Sequence, residues 1–112
     1  MSRPTHARLT ASGVVLRVRQ AGNGPVVLLL HGFPDSSELW HDVTPPLVAA
    51  GFRVVAPDLR GFGQSDAPAA VGDYALGHIV ADLRTLIGRL AGDEPVRVIG
   101  HDWGAVAGWC LA

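Results

Sequence analysis

Residues 96 to 105 read Val-Arg-Val-Ile-Gly-His-Asp-Trp-Gly-Ala, a short apolar strand entering a Gly-X-Asp-X-Gly turn and then a small-residue helix. A nucleophile carried on such a strained strand-to-helix turn tolerates only small residues two positions to either side, here Gly100 and Gly104. Serine is the usual occupant of this elbow, and here Asp102 holds the place. A carboxylate is ionised at neutral pH and attacks without a base, but it needs an electrophilic carbon and leaves an alkyl ester behind. The expected chemistry is displacement at carbon, not acyl transfer. Asp102 is also a favoured helix N-cap at the positive end of the helix that follows. The two roles are compatible, because that helix end keeps the carboxylate ionised.

Such a turn needs a buried sheet to hold it. Residues 7–11 and 14–19 are short alternating segments separated by Ser12-Gly13, the pattern of an antiparallel hairpin. The continuous apolar run 26–30 predicts a parallel strand covered on both faces, followed by the loop 31–35. A helix is expected over 37–50, with a break or restart at Pro45-Pro46 and Pro46 in a new first turn. A second buried strand over 52–56 leads into the glycine-rich loop 57–66. Leu76, Ile79, Val80, Leu83, Leu86, Ile87 and Leu90 fall on one face of a helix over 74–90. The nearly all-apolar run 103–112 predicts a helix buried against the sheet. Two antiparallel strands followed by three strand-loop-helix units imply a mixed α/β sheet with parallel later members and right-handed crossovers. Ligands bind such sheets beyond the carboxyl ends of the strands, where residues 31–35 and 100–104 both fall.

With 112 residues, 48% hydrophobic and 17% charged, the chain is globular and forms one domain at most. A net charge of -1 and the lack of any Lys/Arg cluster argue against nucleic acid and anionic membranes as partners. Residues 1–13 have no apolar signal-peptide core, and no apolar run reaches the length of a membrane span, so a cytoplasmic location is the default expectation. Cys110 stands alone and is expected to pack on its helix. Asp58, Arg60 and Asp66 sit in a turn-rich loop where charges pair with backbone or with each other, and structural support is expected of them. The acidic residues lack metal-ligand spacing with His, and no segment matches a dinucleotide fingerprint or a P-loop, so neither metal nor cofactor is expected. His6, His41 and His78 are not expected to act in catalysis.

Three motifs in order, HGFP at 31 to 34, DLRGFGQSD at 58 to 66 and GHDWGA at 100 to 105, resemble those of the α/β-hydrolase superfamily. The Asp elbow followed by Trp, together with HGFP, resembles the soluble epoxide hydrolases. The resemblance spans nearly all of the chain and corresponds to the amino-terminal part of a family member. It implies one partial α/β-hydrolase core domain over residues 1–112, ending in the helix after the elbow, with the cap and the carboxy-terminal part absent. It also implies that Asp102 attacks an epoxide carbon and that an activated water hydrolyses the resulting ester to a vicinal diol. The backbone N–H groups of Phe33 and Trp103 would then be the oxyanion donors, each worth about a hundredfold or more in rate. The side chains of Phe33, Pro34 and Trp103 would contribute to an apolar substrate site, and the Trp103 indole N–H could hold a halide.

His31, Gly32, Gly100, His101 and Gly104 are expected to shape the motif. His31 is expected to hydrogen-bond its own loop and His101 to fill the turn, and both are poor candidate bases. The isomer of the Phe33-Pro34 bond stays open from sequence. The implied partners are a small apolar epoxide and water, and no oligomeric state follows from the residues. In the family the base is a late His oriented by a late acid, and cap tyrosines protonate the opening ring. All of these are expected to lie outside this chain, which is therefore not expected to turn over. One rival is a haloalkane or haloacetate dehalogenase, which uses the same Asp attack and expels halide. Against it, Asn commonly stands at the Phe33 position in the former, and Arg commonly follows the nucleophile in the latter. A second rival is a non-catalytic truncated remnant, or a module that completes its sheet with a partner.

Overall fold

A computed structural model describes residues 4–112, and its centre is a five-stranded mixed sheet. Strands β1 (Thr5–Thr10) and β2 (Val15–Ala21) pair antiparallel through the tight turn at Ser12-Gly13, where Gly13 has φ +79°. Strand β3 (Val26–Leu30) pairs parallel with β4 (Arg53–Pro57) on one side and with β5 (Arg97–Gly100) on the other. The order is β1-β2-β4-β3-β5, with β2 antiparallel to β4. The expected α/β-hydrolase-type layout, a hairpin followed by parallel strands, is the observed one.

All five residues of β3 are buried, as an unbroken apolar run requires. Alternation sends Val26, Leu28 and Leu30 into one core with Leu83 and Leu86, and Val27 and Leu29 into a second core with Trp40. The first core is covered by α2 (Leu76–Ala91) and the second by α1 (Thr44–Ala49) with the 3₁₀ turn Ser37–Trp40. The break expected at Pro45-Pro46 is therefore real. The chain leaves the 3₁₀ turn and starts α1 afresh with the prolines in its first turn, where their missing N–H groups need no partner. A second 3₁₀ turn, Val71–Tyr74, precedes α2 and moves its start from the expected Tyr74 to Leu76.

Two expectations for the last helix, α3 (Trp103–Leu111), are corrected. Only Gly104 and Ala107 of α3 are buried, Trp109 is 83% exposed, and Cys110 is exposed rather than packed. The reason lies in the position of β5 beside β3 at one edge of the sheet, which leaves α3 one neighbouring surface to cover. Among the described residues, no helix is long and apolar enough to cross a membrane.

A buried ion pair ties the hairpin, the loop after β4 and α2 together. Arg60 donates through Nε and Nη2 to the two carboxylate oxygens of Asp82, both at 2.8 Å, and through its other N–H groups to the carbonyls of Ser12 and Asp73. The Ser12 N–H donates back to Asp82 Oδ1. Removing one partner of a buried pair strands the other charge. The substitution Asp82→Ala is expected to cost about 3–5 kcal/mol, read as a fall in the urea midpoint.

Candidate active site

The loop after β3 and the turn after β5 meet because their strands are hydrogen-bonded neighbours with Leu30 opposite Gly100. The register is extended beyond the strands by the His101 N–H, which donates to the Leu30 carbonyl at 3.0 Å. Backbones crowd at this junction. A Cβ on Gly104 would collide with the carbonyls of Leu30 and His31, one on Gly100 with the Gly104 carbonyl, and one on Gly32 with the Asp102 side chain. Glycine is the residue that permits each approach.

Asp102 has φ 59° and ψ -124°, and it is the one non-glycine residue with positive φ among those described. With that ψ the residue lies outside the left-handed helical region, so the conformation is strained for a side chain and persists only where its surroundings hold it. Asp102 stands at the N-cap position of α3, yet its side chain makes no capping hydrogen bond. Its Oδ2 instead accepts from the Phe33 N–H across the junction at 3.0 Å. That N–H, then the Trp103 N–H and the nearby His101, hold the Asp102 carboxyl below the usual carboxylate range, against an opposing desolvation.

Phe33 and Trp103 are 64% and 59% exposed, but their rings, with Leu59, Phe62, Tyr74 and Ile79, line a mostly apolar cavity of about 440 Å³. Phe62 packs edge-to-face on Phe33 with centroids 5.7 Å apart. The elements thus bring Gly32, Phe33, Asp102 and Trp103 together. Pro34, joined to Phe33 by a cis bond, is exposed and stands outside the cavity lining. Sequence reasoning had no signal for Tyr74 and Ile79 in this wall, because a helical stripe does not reveal which of its residues reach past the core.

His31 is fully buried, with Nδ1 at 2.8 Å from the Gly32 carbonyl and Nε2 accepting from the Leu59 N–H at 2.9 Å. Both ring nitrogens are engaged, as expected of a histidine that braces its loop. His101 is exposed, and its backbone rather than its ring joins the turn. Asp58 accepts from the Ser37 and Gln64 N–H groups, and Asp66 accepts from the Val15 N–H and pairs with Arg8. These charges support loops, as expected, and among the described residues no cluster of His, Cys, Asp and Glu has metal-binding geometry.

Comparison with known proteins agrees with this geometry. Residues 25–112 match the family model of the alpha/beta hydrolase fold, and the chain belongs to that family. It is 42% identical to Epoxide hydrolase 3 of Siraitia grosvenorii over 99% of its own length and 35% of the relative's. It is 46% identical to the probable oxidoreductase EphD of Mycobacterium tuberculosis over 87% of its length and 17% of that protein's. The crystal structure of epoxide hydrolase VrEH1 from Vigna radiata superposes with a TM-score of 0.93 at 42% identity, covering 96% of this chain and 33% of that one. The chain thus spans about a third of the length of the epoxide hydrolases it matches.

Two measurements check the site. Because the folded-state carboxyl is held low, Asp102 contributes stability above its unfolded value of about 3.9, and this is lost as pH falls through the lower folded value. Carbon-detected NMR titration of Asp102 is expected to place its midpoint below that of an ordinary aspartate. Gly32→Ala is expected to break the Phe33 to Asp102 hydrogen bond and return the midpoint upward.

Proposed function

We propose that this chain carries the nucleophilic half of an epoxide hydrolase site. The observation that carries the reading is Asp102 held on a strained turn, its neighbour Trp103 and its hydrogen-bond donor Phe33 both lining an apolar cavity, with the backbone N–H of Phe33 directed at its carboxylate. An uncharged epoxide suits the apolar wall of Phe33, Phe62 and Trp103. Several relatives bear the name epoxide hydrolase.

In the first step an Asp102 carboxylate oxygen bonds to an epoxide carbon as the ring C–O bond breaks. The ring oxygen leaves as an alkoxide and takes up a proton from water, giving a hydroxyalkyl ester. In the second step water adds to the ester carbonyl, and the tetrahedral oxyanion is stabilised by the N–H groups of Phe33 and Trp103. Collapse expels the diol and regenerates Asp102, so the net reaction is epoxide plus water to vicinal diol. Among the described residues no histidine hydrogen-bonds to Asp102, and His31 has both nitrogens engaged. Hydrolysis within this chain is therefore slow and the ester accumulates.

Intact-mass analysis after incubation with a phenyl-substituted epoxide tests the reading. The folded chain is expected to gain the mass of one whole epoxide at Asp102, and Asp102→Asn is expected to gain none. The rate of gain is expected to fall as pH drops through the low midpoint of Asp102. Alkylation by a chloroalkane with chloride release, and none by the epoxide, would make it a dehalogenase. A chain folded by circular dichroism that reacts with neither would overturn the carboxylate-nucleophile reading.

A further inference from the structure

We infer that His31 is the positioning residue for the Phe33 N–H, aiming this donor through the single peptide unit that joins Gly32 to Phe33. The carbonyl and the N–H of that unit are opposite ends of one rigid plane. At the carbonyl end, the Gly32 oxygen lies 2.8 Å from His31 Nδ1. At the other end, the Phe33 N–H donates to Asp102 Oδ2 at 3.0 Å. Rotating the plane about its flanking bonds moves both ends together, so anchoring the carbonyl fixes the direction of the N–H.

The tautomer follows from the third partner. Leu59 donates its N–H to His31 Nε2 at 2.9 Å, which requires Nε2 to be the bare acceptor. The ring proton is therefore on Nδ1, where it donates to the Gly32 carbonyl. Burial and the edge of the Phe62 ring, 5.5 Å away between centroids, hold the imidazole in this orientation. Leu59 and Phe62 both belong to the loop after β4, so that loop sets the direction of a donor on the loop after β3. A flip of the Gly32-Phe33 plane would withdraw the Phe33 N–H and present a carbonyl oxygen to the Asp102 carboxylate. The catalytic meaning of this device rests on the epoxide hydrolase reading, while the positioning itself is tested without substrate.

Two substitutions separate positioning from packing. The amide nitrogen of His31→Asn lies where Nδ1 does and keeps the donor to Gly32, whereas the amide of His31→Gln lies where Nε2 does and keeps only the contact with Leu59. In the full chain, the Asp102 carboxyl midpoint and the Phe33 amide proton shift are followed by NMR across the acid range. The chain with His31, and His31→Asn, are expected to show a low Asp102 midpoint and a Phe33 amide that titrates with it. His31→Gln is expected to raise the midpoint toward about 3.9 and to uncouple the Phe33 amide from it. Equal midpoints and coupling in both variants would overturn the proposal, as would loss of both signals in His31→Asn with retention in His31→Gln.

A measurement on the unsubstituted chain stands if either variant fails to fold. Long-range proton–nitrogen correlation is expected to show His31 protonated on Nδ1, and a proton on Nε2 would overturn the proposal. Absence of an epoxide adduct would sink the hydrolase reading alone, since neither NMR measurement uses substrate.

Discussion

The close approach of two backbones at the carboxyl ends of β3 and β5 is the constraint on which the site depends. Gly104 lies against the Leu30 and His31 carbonyls, and Gly32 lies against Asp102, with no room for a Cβ at either. This crowding forces the chain to turn sharply after Gly100 and puts Asp102 in a conformation that most side chains avoid. Such strain persists only where the surroundings over-determine it. Here the parallel register of β5 on the wholly buried β3 does so, with the His101 N–H bonded to the Leu30 carbonyl just beyond it.

Around that junction the polar groups are arranged to hold loops rather than to react. The loop after β4 is fixed by Asp58 and Asp66 accepting backbone N–H groups, and by Arg60 reaching Asp82 on α2. Having few degrees of freedom left, that loop presents the Leu59 N–H and the Phe62 ring to His31. A buried guanidinium and a buried carboxylate are costly apart, so the pair also resists any shift of α2 relative to the loop. The apolar cavity beside Asp102 is lined from the same pieces, with Leu59 and Phe62 from this loop and Ile79 from α2. The Asp102 junction and the cavity wall thus share one scaffold.

The match to the alpha/beta hydrolase family covers residues 25–112, which includes β3, the loop after β4, and β5 with its turn, but not the hairpin. Those are the segments that meet at Asp102. A TM-score of 0.93 at 42% identity means that the backbone path is kept while most side chains differ. Retention of the path is what the Gly100 and Gly104 contacts would enforce, because both depend on backbone proximity rather than on side-chain identity. In the full-length relatives this scaffold is combined with about twice as much additional chain, and in EphD with more. The turn that carries Asp102 and its facing loop both lie within residues 26–105.

By itself the sequence determined most of the elements and which residue stands at the turn. The short apolar run 26–30 bounded by turn residues reads as a strand buried on both faces, Pro45-Pro46 as a break or restart of the helix, and Gly-X-Asp-X-Gly after a strand puts Asp102 on the sharp turn. Local sterics and hydrophobic periodicity act over a few residues, so they are legible in the residues themselves. Tertiary structure decided what depends on residues far apart in the chain. Asp102 accepts from Phe33, 69 positions away, instead of capping its own helix. Arg60 finds Asp82 rather than a neighbour in its loop, and Tyr74 and Ile79 join the cavity wall. The exposure of α3, Trp109 and Cys110 belongs to the same class, because the apolar pattern of a helix records its composition and not the presence of a surface to cover it. These outcomes are set by strand order, and strand order is fixed only when the sheet is assembled.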